Sequence, residues 1–449
     1  MSMCVISVSR YFKYNKDNNM LNLLIDVAHW VRCFAGSDFQ IDSMGTLLKY
    51  HGRSDVVILP DTVKKIGAYA FAQSTVRHVV IPLSVTHIAS YAFLDALRLK
   101  SLTLPDSICQ VDVGAFMNCV NLESCMMSKE VIRLEEKTFF GCRSLSSFIM
   151  PNTVTQVGAY AFYGCASLET VYWSQNLKAI ENFAFYGCSM LSQAILPVSL
   201  TNLGDYAFAK CLFLSEVDMS QCEITVIGNS VFSGCWELAH VSFSAHTKSI
   251  GPLAFLDCYG LSDIHFCDNI MDIKIGAFKN TSFMREIELP RDVKHIQYQA
   301  FFTTELKYLL CVDQAHKERV LSMRDICYKG VSICTYQEYL QEKYGICAQS
   351  ELSAREMRFV YRLFRDCSRE YIYRKTILDL SIDEVRGLKS LLKRNMSKSI
   401  TFEDFSRVCV NRDQSFFHLL MERIGKKTAY QKVRRVMHKS CHRTVRFNV

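Results

Sequence analysis

Proline is scarce in this sequence, with seven residues in 449, and only 21% of the chain is charged. A chain so poor in charge and 49% hydrophobic is not a disordered one. Long apolar runs are missing too. Nothing approaches the ~20 uninterrupted apolar residues of a membrane span. The most apolar early stretch, Met20 to Gly36, is broken at helical spacing by Asn22, Asp26, His29 and Arg32, which suits an amphipathic helix better than a signal peptide. Cys-x-x-Cys is absent although the chain holds twenty Cys. His438, Cys441 and His442 gather near the end, but in a basic tail they read as solvated residues and not as a zinc site. The stretch "GKKT" at Gly425–Thr428 has Leu420 where a phosphate loop requires glycine, so it makes no phosphate cradle. No nucleophile elbow, His-Glu-x-x-His pair or dinucleotide fingerprint occurs. The expectation is a chain without catalytic residues, metal or cofactor.

What the sequence does have is a period. Phe recurs at 71, 93, 116, 139, 162, 185, 208, 232, 255, 278 and 301, with eight of the ten intervals equal to 23. Eleven copies at one spacing indicate a solenoid. Five residues before each Phe stands Ile, Val or Leu in every copy, as in Ile66, Val157 and Ile273. An aliphatic residue stands eight before in all copies except that of Thr247, and Leu or Met six after in nine. Ala precedes Phe in nine copies, consistent with a tight bend. One unit cannot fold alone. Its six or so buried side chains contribute roughly 9–18 kcal/mol, while ordering each residue costs about 1–2 kcal/mol of backbone entropy. Stacking closes the difference by covering the faces of neighbouring coils.

Alternating stretches such as Leu102-Thr103-Leu104 and Ile287-Glu288-Leu289 read as one short strand per coil, stacked into a long parallel sheet. Six of the seven prolines (Pro60, Pro82, Pro105, Pro151, Pro197 and Pro290) follow such a stretch and end it, because proline has no N–H to give the ladder. The repeat reads Pro-x-[Ser/Thr]-Val-x-x-Ile-Gly-x-x-Ala-Phe-x-x-Cys-x-x-Leu, most closely at 60–81 and 151–172. In this it resembles the BspA-like leucine-rich repeat family over about 39–312, including an opening segment from Phe39 to Pro60. Ser128, Ser174, Ser244 and Cys267 depart from it where Pro is usual. The resemblance implies an α/β solenoid, a leucine-rich-repeat array of about eleven 23-residue coils with a parallel sheet on its concave face. It also implies a binding scaffold or surface protein, not an enzyme.

Seven Cys fall three residues after Phe: Cys119, Cys142, Cys165, Cys188, Cys211, Cys235 and Cys258. Stacked coils would bring them within disulfide range. An odd number with equivalent neighbours, however, reads as a buried ladder of free thiols, and free thiols at this density suit a reducing compartment. A cytoplasmic protein is therefore expected, with the cell surface, or secretion by a non-standard route, as the alternative.

On each strand the residues nine and eleven after Phe point inward, so those at eight and ten face out. The outward row includes Met126, Ile149, Tyr172 and Ile195, then an acidic zone of Glu216, Asp218, Asp263, Glu286 and Glu288 with His240 and His265. Such apolar residues suit a strand, yet a contiguous exposed row also marks a contact surface. These residues are the candidate site for a protein or peptide partner.

After Val312 the period stops. Three domains are expected: 1–38, an N-terminal segment with one amphipathic helix; 39–312, the solenoid; and 313–449, a small basic α-helical domain. Residues 52–312 hold 19 Lys+Arg against 24 Asp+Glu, and residues 313–449 hold 28 against 16. "TYQE" at 335–338, "SARE" at 353–356 and "SIDE" at 381–384 are capping boxes, and Thr401 and Asp413 begin further helices. Five or six short helices follow. On the helix from Ser353, one stripe (Met357, Val360, Phe364, Cys367, Tyr371) turns inward. A second stripe (Arg355, Arg358, Arg362, Arg365, Arg369) faces out as a solvated face or an anion site. Beyond Gly425 come eight Lys and Arg, among them Lys432, Arg434 and Arg435, and no acid. Such a tail is a solvated end or docks on phosphates or acidic surfaces. The leading function is a non-enzymatic interaction scaffold. The alternatives are a nucleic-acid-associated protein using the basic region, and a surface adhesin.

Overall fold

A computed structural model describes residues 38–344, apart from 262, 282–284, 303–304 and 324–329, together with 353, 354, 356–358, 360, 361 and 386. The N-terminal segment 1–37 and most of the region after 344 lie outside the described residues. Two compact units result: residues up to Lys307 with 322–331, and Tyr308–Leu321 with the chain from Ser332 on.

The first unit is a parallel β-solenoid. Each coil carries two strands, not the single strand expected. Three-residue strands such as Ser147–Ile149 and Thr170–Tyr172 pair in parallel, Phe148 opposite Val171 and Ile149 opposite Tyr172. Two-residue strands such as Gln156–Val157 and Ala179–Ile180 form a second ladder just before each Phe. A third line of hydrogen bonds follows the turn around Phe. The amides of Tyr160, Phe162 and Gly164 donate to the carbonyls of Asn182, Ala184 and Tyr186 in the next coil, at 3.1, 2.7 and 2.8 Å. The line at the turn runs through the whole array, whereas the two strand ladders are interrupted at some junctions, both of them between the Phe116 and Phe139 coils.

The turn explains the residue preferences around Phe. The residue two before Phe takes left-handed φ in all eleven coils, from 52° at Ser230 to 61° at Gly114. The residue two after Phe does so in every coil from Gln73 to Asn280, where Gly, Asn and Asp predominate as this backbone favours. Between these two reversals Phe points straight into the core. The Ala before it, as at Ala161 and Ala184, is 0% exposed.

The Phe side chains form one column. All eleven are buried, and neighbours stack with centroids 4.9 Å apart at Phe162–Phe185 and 5.2 Å apart at Phe185–Phe208. The widest step, 5.8 Å at Phe208–Phe232, falls where the interval is 24 residues. The column does not begin at Phe71. Tyr50 packs at a tilt against Phe71 at 5.3 Å and Phe39 against Tyr50 at 5.5 Å, so the hairpin of Phe39–Ile41 and Thr46–Tyr50 supplies a twelfth rung. The seven Cys in the repeat slot are buried and free, as expected.

The second unit opens on a strand–helix–strand where only helices were expected. Strand Tyr308–Cys311 pairs in parallel with Ser332–Thr335, and helix α1 (Gln314–Leu321) crosses between them. Leu309, Leu310 and Cys311 are buried in succession, as suits a strand covered on both faces. Asp313 caps α1, its carboxylate accepting from the His316 amide at 2.8 Å. Helix α2 (Tyr336–Tyr344) starts on the expected capping box. The Glu338 carboxylate accepts from the Thr335 amide at 2.7 Å, and the Thr335 hydroxyl accepts from the Glu338 amide at 3.3 Å. The box at Ser353 is also present, with the Ser353 amide 2.8 Å and hydroxyl 2.7 Å from Glu356. Met357 and Val360 are buried, as expected of the inward stripe, and Tyr361, outside that stripe, is buried too. Tyr361 packs against Tyr336 at 5.0 Å and Tyr339 at 5.6 Å.

Candidate partner-binding face

The three-residue strands present two columns of side chains, from the first and third positions, and bury the middle one. Within Ser147–Ile149 the sequence Ser-Phe-Ile is exposed, buried, exposed. Met126 is 62% exposed, Ile149 68% and Tyr172 53%. Parallel register sets Ile149 directly opposite Tyr172, and the Met126 strand pairs in the same register with Ser101–Thr103. Ile149 and Tyr172 therefore stand side by side at the strand spacing of ~4.8 Å, and Met126 projects from the coil before them, on a strand not bonded to that of Ile149. Ser124, Ser147 and Thr170 make an exposed hydroxyl column beside them. Ile195, the fourth member of the expected row, is half-buried.

The acidic zone differs from expectation. Asp218 is 2% exposed and Glu288 5% exposed, so neither projects from the face. The Asp218 carboxylate turns back to accept from the Ser220 amide at 2.9 Å, making the turn in a coil that has no proline. Glu288 is buried and engaged within the protein, as a charge at that depth requires. Glu216 and Glu286 are half-buried and also engaged. His240 is exposed, and so is His265, which keeps contacts of its own. Asp263 lies in the strand Asp263–His265, with its side chain outside the described residues. The acidic zone is thus partly folded into the protein, and the exposed apolar row stands as the defined part of the face.

At the N-terminal end of the same face His78 stands 3.0 Å from the Ser101 hydroxyl. Burial, and then the positive charges of Lys100 and Arg77, hold its imidazole below the usual range. Asp55, 3.4 Å from Arg77 and 3.6 Å from Arg98, closes this polar end. Among the described residues no three His, Cys, Asp or Glu side chains converge as a metal site, and no helix is long and apolar enough to cross a membrane.

Two further surfaces were missed from the sequence. Met190, Phe213, Trp236 and Tyr259, each 41–54% exposed, lie four or five residues after Phe in successive coils. Trp236 and Tyr259 approach to 6.3 Å. The other surface flanks the left-handed turn. Tyr160, Phe183 and Tyr206 stack at 4.9 and 4.7 Å, and Phe140, Tyr163 and Tyr186 at 4.8 and 4.9 Å. Their signal is an aromatic residue two before or one after Phe in consecutive copies, hidden beside the stronger Phe period.

Of the anion-binding candidates only Arg358 is described, half-exposed and engaged within the protein. The side chains of Arg355, Arg362, Arg365, Arg369, Lys432, Arg434 and Arg435 lie outside the described residues.

The family model for the BspA type leucine rich repeat region (6 copies) matches residues 50–165, 109–235, 155–283 and 204–317. The chain belongs to the BspA-type leucine-rich repeat family. Among solved structures, a leucine rich cell surface protein from Faecalibacterium prausnitzii A2-165 is 24% identical, with a TM-score of 0.45, over 66% of this chain and 92% of its own. A leucine-rich repeat protein from Bacteroides ovatus ATCC 8483 is 22% identical, with a TM-score of 0.48, over 65% and 87%. No curated protein matches. In this array the strand positions that project are apolar in three successive coils, at Met126, Ile149 and Tyr172.

Proposed function

We propose that this protein is a non-enzymatic interaction scaffold that holds a protein or peptide ligand on the three-residue strand face, centred on Met126, Ile149 and Tyr172. The observation that carries the reading is the exposure of these three side chains, 53–68%, on three successive coils, with Ile149 and Tyr172 on paired strands in register. Large apolar side chains gathered on a surface lose free energy to water and regain it on contact. The neighbouring hydroxyls of Ser124, Ser147 and Thr170 offer hydrogen bonds at the rim of the patch. The thirteen cysteines of the described residues are all free, which supports placing the protein in a reducing, cytoplasmic compartment.

The test is site-specific photo-crosslinking. A benzophenone side chain at position 149 or 172 is expected to capture one discrete partner, and the same group at Asn152, on the turn beyond the strand, is not. The combined change Ile149→Ala and Tyr172→Ala is expected to abolish partner binding with little change in thermal unfolding. Equal capture from position 152, or unchanged binding by the double variant, would refute this reading.

A further inference from the structure

Positive charge on the strand face is gathered at one end. Along the three-residue strands from Val56–Ile58 to His240–Ser242, counting the residue before each strand, Lys and Arg occur only as Arg77 and Lys100. Arg98 joins them. Its guanidinium lies 3.6 Å from the Asp55 carboxylate, which Arg77 meets at 3.4 Å. Lys100 stands 3.2 Å from Glu123. Three permanent cations thus face two carboxylates. Further along the face the residues before the strands are Ser146, Glu169 and Ser192, with no cation among them.

The field at this end is positive. Burial first, and then Lys100 and Arg77 against the weaker opposing pull of Asp55 and Glu123, hold the His78 imidazole below its usual range. The ion pairs are also easy to exchange. Their side chains are 42–61% exposed, and exposed pairs contribute little to stability. A carboxylate arriving from outside can take the place of Asp55 or Glu123 at small cost. Asp55 itself shows the geometry, with two guanidinium groups converging on one carboxylate. The basic end and the start of the apolar row share one four-stranded sheet, in which Thr103 lies opposite Met126.

We propose that the partner on the strand face is an extended peptide with an acidic end, its carboxylates held by Arg77, Arg98 and Lys100 and its apolar side chains packed on Met126, Ile149 and Tyr172. The proposal rests on the strand face being the partner surface, and it adds the charge and the order of the ligand. Three coil steps separate Lys100 from Tyr172, with Phe rings 5.3–5.5 Å apart at each step. That is about 16 Å, which about five extended residues span at ~3.3 Å each. A basic peptide laid along the same row would meet like charge at this end, and repulsion would turn it away.

The test selects ligands without assuming their sequence. Random peptides displayed on phage, about twelve residues long and so able to span the row at ~3.3 Å per residue, are panned on the full-length protein at low ionic strength. The selected peptides are synthesised and titrated by fluorescence anisotropy. They are expected to share Asp or Glu about five residues from a large apolar residue. The combined change Arg98→Glu and Lys100→Glu should weaken them about tenfold or more, and Asp55→Asn, which frees both guanidinium groups, should strengthen them about two- to fivefold. The three side chains changed are half-exposed, at 47–50%, so dichroism should be unaltered. Selected peptides rich in Lys and Arg or without charge bias, or acidic peptides indifferent to the double charge reversal or weakened by Asp55→Asn, would overturn the acidic partner. The combined change Ile149→Ala and Tyr172→Ala separates this outcome from failure of the strand-face reading. Peptides that ignore it would deny the face its role, whereas peptides that need it but ignore the charges would remove only the acidic end. No enrichment of any peptide would refute both.

Discussion

Phe148 and Ile149 are adjacent in one strand and should respond oppositely to the same truncation. Phe148 is 1% exposed and meets Phe139 and Phe162 edge-on, at 5.2 and 4.9 Å. Replacing it with Ala removes a ring from a close-packed column, which typically costs about 3–5 kcal/mol. Ile149 is 68% exposed. With roughly a third of its side chain covered, and full burial of Ile contributing about 1.5–3 kcal/mol, Ile149→Ala should cost about 1 kcal/mol or less. The expected difference is thus about 2–4 kcal/mol between neighbouring positions. Urea unfolding reads it, with Trp173 fluorescence as a local reporter. That indole packs edge-on against Phe185 at 5.3 Å and Phe208 at 6.2 Å, inside the affected column. Long repeat arrays can lose two-state cooperativity, so midpoints followed by Trp173 and by dichroism should be compared before free energies are assigned. If Ile149→Ala proves the more damaging change, the strand register is wrong by one residue and the apolar row belongs to the core.

Thiol labelling of the native protein should be slow for the buried column and complete at all twenty cysteines after denaturation; several unreactive, reducible cystines would contradict the free-thiol column. Gly164 has φ of +68° with open space where a side chain would stand, and Asn118 and Asn280 hold the same slot elsewhere. Gly164→Asn should therefore shift the unfolding midpoint little, whereas Gly164→Val should cost about 1–2 kcal/mol. Glu356, bonded to the Ser353 hydroxyl and to Arg386, has its carboxyl lowered to about 2. Its stabilising effect is present above the ordinary carboxylate range and is lost as pH falls toward 2. The stability difference between the unaltered protein and Glu356→Gln, measured by thermal unfolding, should shrink between pH about 4.5 and about 2. A difference independent of pH would remove the carboxylate from the account.

The repeat was legible because Phe, the aliphatic positions and Cys each hold one slot through the array, and the outward residues Met126, Ile149 and Tyr172 followed from strand alternation. Alternation failed at Asp218, where a short acidic side chain can bond to its own backbone two residues on, a local option that no period encodes. It failed again at Glu288, buried at a position read as outward. Tyr50 escaped as a rung because it is not Phe and lies 21 residues before Phe71, although its ring does the same packing. The second strand of each coil is only two residues long, too short for a periodic signal of its own. In the second unit, "YLLC" and "SICT" are brief apolar runs, and the capping boxes that follow drew the reading toward helices. The left-handed aromatic positions show the same limit. Tyr160, Phe183 and Tyr206 sit where L residues are rarely placed, and only the stacked geometry shows what their rings rest upon.

The three lines of hydrogen bonds between coils have a mechanical consequence. At each junction amides of one coil meet carbonyls of a neighbour, the Phe162 amide donating to Ala184 in the next coil and the Met190 amide to Ala166 in the preceding one, so these bonds lie along the stacking direction. A load applied at the two ends of the chain draws on them in tension, one junction after another, instead of shearing a whole sheet at once. Such an array peels. Each released coil returns some 23 residues of chain, about 80 Å of extended length at ~3.4 Å per residue. The junction between the Phe116 and Phe139 coils, where both strand ladders are interrupted, is the natural place for the peeling to begin inside the array. A protein built in this way yields in small, nearly equal increments, and so extends under tension while its remaining coils stay folded.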